Sequence, residues 1–267
     1  MSKIPASIRN PILLGALVLA SSSAWSNVFV HWTSTVFPPA KELGLDGLVF
    51  SWRDNISLQV AAARKQGYRV YVEASLHQAA AAAEAGSSVA GIVLRADGLI
   101  LRVPQSARDQ LGKSLQKLRS DHPNVRFMVL NPDGKQPQMR GSLVIKQGSV
   151  LEVSSPTAQP WIDTNLALVK IEQRADPDQA ALYTFSWEGQ PESGPQRSAR
   201  IAEDYLLAVA EAGAFHADLV LEVEESLQKA LLEHNPQAWA LWKQVRTYAD
   251  FYSRANQPHL EAAANVA

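Results

Sequence analysis

From residue 28 onward the chain alternates short apolar runs with longer helix-favouring ones, and this rhythm constrains its fold more than any other feature. Strand-like runs lie at 28–33 (VFVHWT), 47–52 (GLVFSW), 69–75 (RVYVEAS), 89–95 (VAGIVLR), 126–131 (RFMVLN), 181–187 (ALYTFSW) and 218–223 (DLVLEV). Helical stretches separate them: a short piece ending at Gly44, then 57–66 closed by Gly67 and the Ala-rich 77–85 stopped by Gly86. Amphipathic 106–120, then 162–173 and 199–212 stopped by Gly213, complete the series. Glycine is the usual residue past a helix end, because it accepts the left-handed backbone there. Strand-then-helix alternation calls for a parallel sheet with helical crossovers.

The strand count points to a (β/α)8 TIM-like barrel, whose typical length is about 250 residues. An eighth strand would begin at 265–267, where the sequence stops. The barrel is therefore either incomplete at its C-terminus or ends on a minimal strand, and the arrangement reads as the first part of a longer polypeptide. Two places break the rhythm. Residues 143–146 and 150–154 flank Gln147-Gly148-Ser149, too short a link for a parallel crossover, so an inserted antiparallel β-hairpin is expected. Asp97-Gly98 has the composition of a second, weaker hairpin turn. The 226–254 region reads as a long helical tail interrupted at Asn235-Pro236.

Residues 1–26 follow the pattern of a secretory signal peptide. Lys3 and Arg9 precede the apolar run 11–20, and small residues then offer cleavage after Ala24 or Ser26. The run is about ten residues, whereas roughly 20 are needed to span a bilayer. The expected product is an exported protein, periplasmic or extracellular, beginning near residue 27 and with no membrane partner. The balance of 25 Lys+Arg against 26 Asp+Glu supplies no basic footprint for nucleic acid. The absence of cysteine excludes disulfides, thiol nucleophiles and Cys-zinc sites. No phosphate loop, dinucleotide fingerprint, HExxH or GxSxG occurs, and the six histidines show no metal spacing, so neither cofactor nor metal is expected.

Barrels of this class carry their active sites where strands end. Four of the seven tryptophans, Trp32, Trp52, Trp161 and Trp187, fall at expected strand or loop ends. Beside them stand Arg53, Asp54, Arg95, Asp97 and Asn131, and the acids Glu73 and Glu188. Indole faces suit the C–H faces of sugar rings, while carboxylates, amides and guanidinium groups bond their hydroxyls. Glycoside cleavage further needs two carboxyl groups flanking one bond. Glu73 and Glu188 are the expected catalytic pair, and the four Trp, Arg53, Asp54, Arg95, Asp97 and Asn131 the expected carbohydrate contacts.

Plainer readings stand beside each. Glu73 follows an apolar run and could be a buried acid paired with Arg53 or Arg95. Glu188 opens a polar loop. Asp97 before Gly98 suits a turn, Asp163 a helix N-cap, and the tryptophans rim packing. His31, alone on an apolar strand, has the setting of a core histidine.

The segments SSPTAQPWIDTNLAL (154–168) and LAVAEAGAFHADLVL (207–221) resemble a group of secreted bacterial proteins with an N-terminal glycoside-hydrolase-like (β/α)8 barrel. The similarity runs over most of residues 27–267. It implies a barrel with a carbohydrate role, and it implies no catalytic assignment. The acidic D-x-x-D-x-D-x-E cluster of chitinase-like barrels is missing, with Arg95 standing in GIVLRADG where an acid would be expected. Two functions compete: a hydrolase acting through a carboxylate pair, and a non-catalytic carbohydrate- or partner-binding barrel of an envelope protein. A Glu73 locked to an arginine would favour binding.

Overall fold

The computed structural model describes residues 27–45, 47–53, 55–79, 95–103, 105–131, 136–137, 145–147, 150–152, 160–175, 181–185 and 202–254. The leader, residues 80–94 with most of the run 89–95, Asp54, the 186–201 segment with Trp187 and Glu188, and 255–267 lie outside them.

Seven strands among the described residues form a closed parallel barrel: β1 (Val28–His31), β2 (Gly47–Ser51), β3 (Val70–Ser75), β4 (Gly98–Arg102), β5 (Arg126–Leu130), β8 (Leu182–Tyr183) and β9 (Asp218–Glu222), in that order. Strand β9 pairs directly with β1, with Val28 opposite Leu219 and His31 opposite Glu222. The ring thus closes on seven strands and leaves no gap between β9 and β1 for an eighth. The remaining two, β6 (Ile145–Gln147) and β7 (Val150–Glu152), form a separate antiparallel pair, the hairpin expected from Gln147-Gly148-Ser149.

Alternation along each strand divides its side chains between two cores. One residue or more from every barrel strand meets in the lumen: Phe29, Val49, Tyr71, Ile100, Met128 with Leu130, Leu182 and Val220. The intervening residues, among them Val30, Trp32, Phe50, Val72 and Leu221, face outward. There they pack under the helices α5 (Ala202–Ala214) and α7 (Pro236–Arg254), whose Tyr205, Val209, Trp242 and Val245 complete the layer. A second outer cluster joins Ala74, Leu99, Leu101 and Phe127 to Leu118 of α3 (Arg108–Asp121).

The fourth barrel strand differs from expectation. It is Gly98–Arg102, hydrogen-bonded in parallel register to β3 and β5, so Asp97-Gly98 is not a hairpin turn. Gly98 stands opposite Tyr71, and a Cβ added there would lie 2.7 Å from the Arg126 carbonyl and 3.0 Å from the Tyr71 ring. The glycine admits the tyrosine into the lumen.

The short helices end as read. Gly44 (φ 63°) follows α1 (Ala40–Leu43) and Gly67 (φ 93°) follows α2 (Ile56–Lys65) shortly after its last turn. The tail is two helices, α6 (Glu225–Leu232) and α7. Asn235 Oδ1 accepts from the N–H groups of Gln237 and Ala238 at 3.0 and 3.1 Å, and Pro236 takes the first helical position. Gly213 instead lies inside α5, where the Tyr252 ring of α7 packs so closely that a Cβ would meet it at 2.2 Å. Among the described residues no helix is long and apolar enough to cross a membrane.

Candidate functional site at the strand-end mouth

Continuing the lumen parity one step past the apolar layer identifies what lines the mouth. Phe29 leads to His31, Val49 to Ser51, Tyr71 to Glu73, Ile100 to Arg102, Leu182 to Thr184 and Val220 to Glu222. An apolar floor is thus overlaid by a ring of polar groups, all carried by strands except Thr184, which directly follows β8. Arg102 organises it. Its Nε donates to Glu73 Oε1, and its Nη2 lies 3.8 Å from Glu222 Oε1, so one guanidinium spans from β4 to carboxylates on β3 and β9. Glu73 is 8% exposed, and its second oxygen, Oε2, has no hydrogen-bond partner among the described residues. His31 Nε2 and Ser51 Oγ are 2.9 Å apart. Thr184 is fully buried.

Several expected contacts are elsewhere. Trp32 and Trp52 follow His31 and Ser51, so parity turns both outward. Trp32 is 1% exposed within the outer core, its indole N–H donating to the Val36 carbonyl at 2.8 Å. Trp52 is partly buried against both outer clusters. Trp32 thus packs as core, and Trp52 packs in part against the same layer. Arg53 donates to Gln59 Oε1 on α2 and does not pair with Glu73. Trp161 and Asp163 lie in the first turn of α4 (Pro160–Ala175), which starts too early for Asp163 to be its N-cap.

Arg95 and Asp97 precede β4 and therefore sit at the opposite end of the barrel from the mouth. There Asp97 Oδ2 accepts from the Val70 N–H at 2.8 Å and Oδ1 lies 3.5 Å from Arg64, which also donates to the Arg95 carbonyl at 2.5 Å. Asn131 is at the mouth but committed to the wall. Its φ of 47° is a left-handed conformation that asparagine tolerates, its N–H bonds the Leu182 carbonyl at 3.0 Å, and its Oδ1 accepts from Thr184 N at 3.2 Å. It stitches β5 to β8 where the ladder itself holds only Leu130 opposite Leu182. Asp54, Trp187 and Glu188 lie outside the described residues, as does any distance from Glu73 to Glu188.

Of the expected site residues, Glu73 thus belongs to the lumen-facing ring. Its companions His31, Ser51, Arg102 and Glu222 were not selected from sequence, although Glu222 was visible at the end of DLVLEV and Arg102 in LILRV. Counting parity from the lumen layer is the signal that finds them. Among the described residues no group of three or more His, Asp or Glu is placed to hold a metal ion.

No protein-family model matches the chain, and no curated protein matches it in sequence. Solved structures do match in shape. An endo-β-mannanase/endo-β-glucanase of Prevotella bryantii aligns at a TM-score of 0.51 and 8% identity, over 85% of this chain and 49% of that one. The chain therefore spans about half the length of that enzyme. A family 5 glycoside hydrolase of the same organism aligns at 0.49 and 8% over 85% and 96% of the two chains. The N-acetylneuraminate lyase of Fusobacterium nucleatum aligns at 0.41 and 8% over 85% and 80%. At these identities the first of them establishes a shared α/β-barrel fold, and activity has to be argued from the mouth.

Proposed function

We propose that this chain is an exported, glycan-active barrel that engages a carbohydrate at its strand-end mouth through Glu73, Arg102, Glu222, His31 and Ser51. The observation that carries this reading is the Glu73–Arg102–Glu222 bridge, a strand-borne set of charged acceptors and donors at the end of the barrel where this fold places its sites. Sugar hydroxyls both donate and accept, and a ring of carboxylate, guanidinium, imidazole and hydroxyl groups above an apolar floor matches them. The fold shared with a mannan- and glucan-cleaving enzyme supports β-linked hexose polymers as the first ligands to try.

Binding without cleavage is the form the geometry favours, because Glu73 Oε1 already accepts from Arg102. Hydrolysis has one observation behind it: two carboxylates, Glu73 and Glu222, reach the same guanidinium from opposite walls of one mouth. Calorimetric titration with manno- and gluco-oligosaccharides, run beside a reducing-end assay, separates the two. Saturable binding with no new reducing ends is expected. Glu222→Gln should weaken it by about tenfold or more, the worth of a hydrogen bond to a charged group. Reducing ends released by the wild type and lost in Glu222→Gln would establish hydrolysis, and the absence of both heat and release would overturn the reading.

Export carries its own test. The Lys3/Arg9 start, the short apolar run and the small residues at 21–26 should direct removal of the leader. N-terminal sequencing of material secreted by a bacterial host should begin at Trp25 or Asn27, and a mature protein beginning at Met1 would refute it.

A further inference from the structure

His31 and Ser51 are in contact across neighbouring parallel strands, the imidazole Nε2 at 2.9 Å from the hydroxyl. Ser51 lies two residues beyond Val49, the register partner of His31, so the sheet fixes this diagonal contact. The other neighbours are specific as well. Glu222 is the register partner of His31 on β9, so both side chains leave adjacent strands on the mouth side. Glu73 is the register partner of Ser51 on β3, and it accepts from Arg102 of the next strand, β4. Ser51 is exposed and His31 half-buried, so a solute entering the mouth can reach the pair.

A serine hydroxyl within hydrogen-bond reach of an imidazole, with an acid on the strand beyond the base, has the parts that activate a nucleophile. We propose that Ser51 and His31 form a nucleophile–base pair for acyl transfer from carboxylic esters, such as an O-acyl group carried by a sugar, with Glu222 positioning the imidazole. In the first half-reaction Ser51 Oγ bonds to the acyl carbon while its proton passes to His31 Nε2 and the carbonyl pair moves onto oxygen, facing Arg102. Collapse re-forms the carbonyl, breaks the bond to the alcohol oxygen and returns that proton to the departing alkoxide. In the second, water gives a proton to His31 Nε2 and attacks the acyl-serine. The acid leaves, and Ser51 recovers its proton. The proposal shares the mouth with the glycan reading but does not depend on a sugar binding there.

The test is active-site labelling of the whole folded protein with a fluorophosphonate, the modified residue located by peptide mass spectrometry. One label per chain on Ser51 is expected, abolished in Ser51→Ala. In His31→Gln the labelling rate should drop by about 10²–10⁴-fold, the usual worth of a general base. Ser51 is exposed, so its substitution leaves the core alone, and circular dichroism melts verify that both variants fold. An unlabelled Ser51 in folded wild-type protein overturns the proposal. So does a His31→Gln variant that labels at the wild-type rate. Sugar binding without labelling would sink this inference and leave the glycan reading standing, whereas labelling without sugar binding would do the reverse.

Discussion

Replacing Trp32 by alanine should lower the unfolding free energy by about 3–5 kcal/mol, the range for emptying a large aromatic site in a core. The side chain is among the largest fully buried ones, packed in the outer layer between the barrel and its helices. Removing it forfeits that packing and leaves the Val36 carbonyl without its indole donor. Urea denaturation of wild type and variant measures the loss directly. A tryptophan acting as a sugar platform would behave in the opposite way, with stability unchanged and affinity reduced, and that outcome would contradict the outward orientation of Trp32.

Stability should also fall as the solution is made alkaline, through one carboxyl on α5. Glu211 is buried against α4, where Asn165 Nδ2 donates to its Oε1 at 2.7 Å, and Oε2 has no hydrogen-bond partner among the described residues. Burial pushes its pKa up from 4.5 to about 8, against the smaller opposing effect of the Asn165 hydrogen bond. The native state therefore holds this proton more tightly than the unfolded chain does. The contribution is complete below the unfolded value of 4.5 and is lost as pH rises through about 8. The full excursion corresponds to roughly 4 to 5 kcal/mol. Glu211→Gln keeps the shape and the Asn165 contact without a group that must ionise, so its stability should stay flat where the wild type declines. Denaturation curves for both proteins at pH 5 and pH 9 decide it. Parallel losses in the two would show that the decline arises elsewhere.

Much of the barrel was legible because parallel strands flanked by helices leave a plain signature: VFVHWT, GLVFS, VYVEAS and DLVLE each map onto an observed strand. The fourth strand was misjudged for a physical reason. VAGIVLR and GLILRV are both apolar runs, and the Asp97-Gly98 between them is the commonest turn dipeptide. Here the glycine is required instead by the Tyr71 ring beside it in the lumen. That error moved Arg95 and Asp97 to the wrong end of the barrel and hid Arg102. The facing of Trp32 and Trp52 was illegible for a related reason. A strand buried on both faces is apolar at every position, so its sequence carries no alternation from which to count. Once Phe29 and Val49 are known to point into the lumen, His31 and Ser51 follow inward and both tryptophans outward. Glu73 follows an apolar run that suits a buried acid paired with Arg53 or Arg95, whereas its partner is Arg102 on the next strand, 29 residues on.

If this protein meets its ligand at the mouth formed by His31, Ser51, Glu73, Arg102 and Glu222, the backbone amides there will report it. Amide chemical-shift mapping on isotope-labelled mature protein, titrated with manno- and gluco-oligosaccharides, addresses it most directly. Saturable shifts should concentrate at the C-terminal ends of β1, β2, β3, β4 and β9. The opposite end, around Asp97 and the Arg126–Asp218 ion pair at 3.7 Å, should stay silent. Shifts clustered at that opposite end, or none at any concentration, would contradict it.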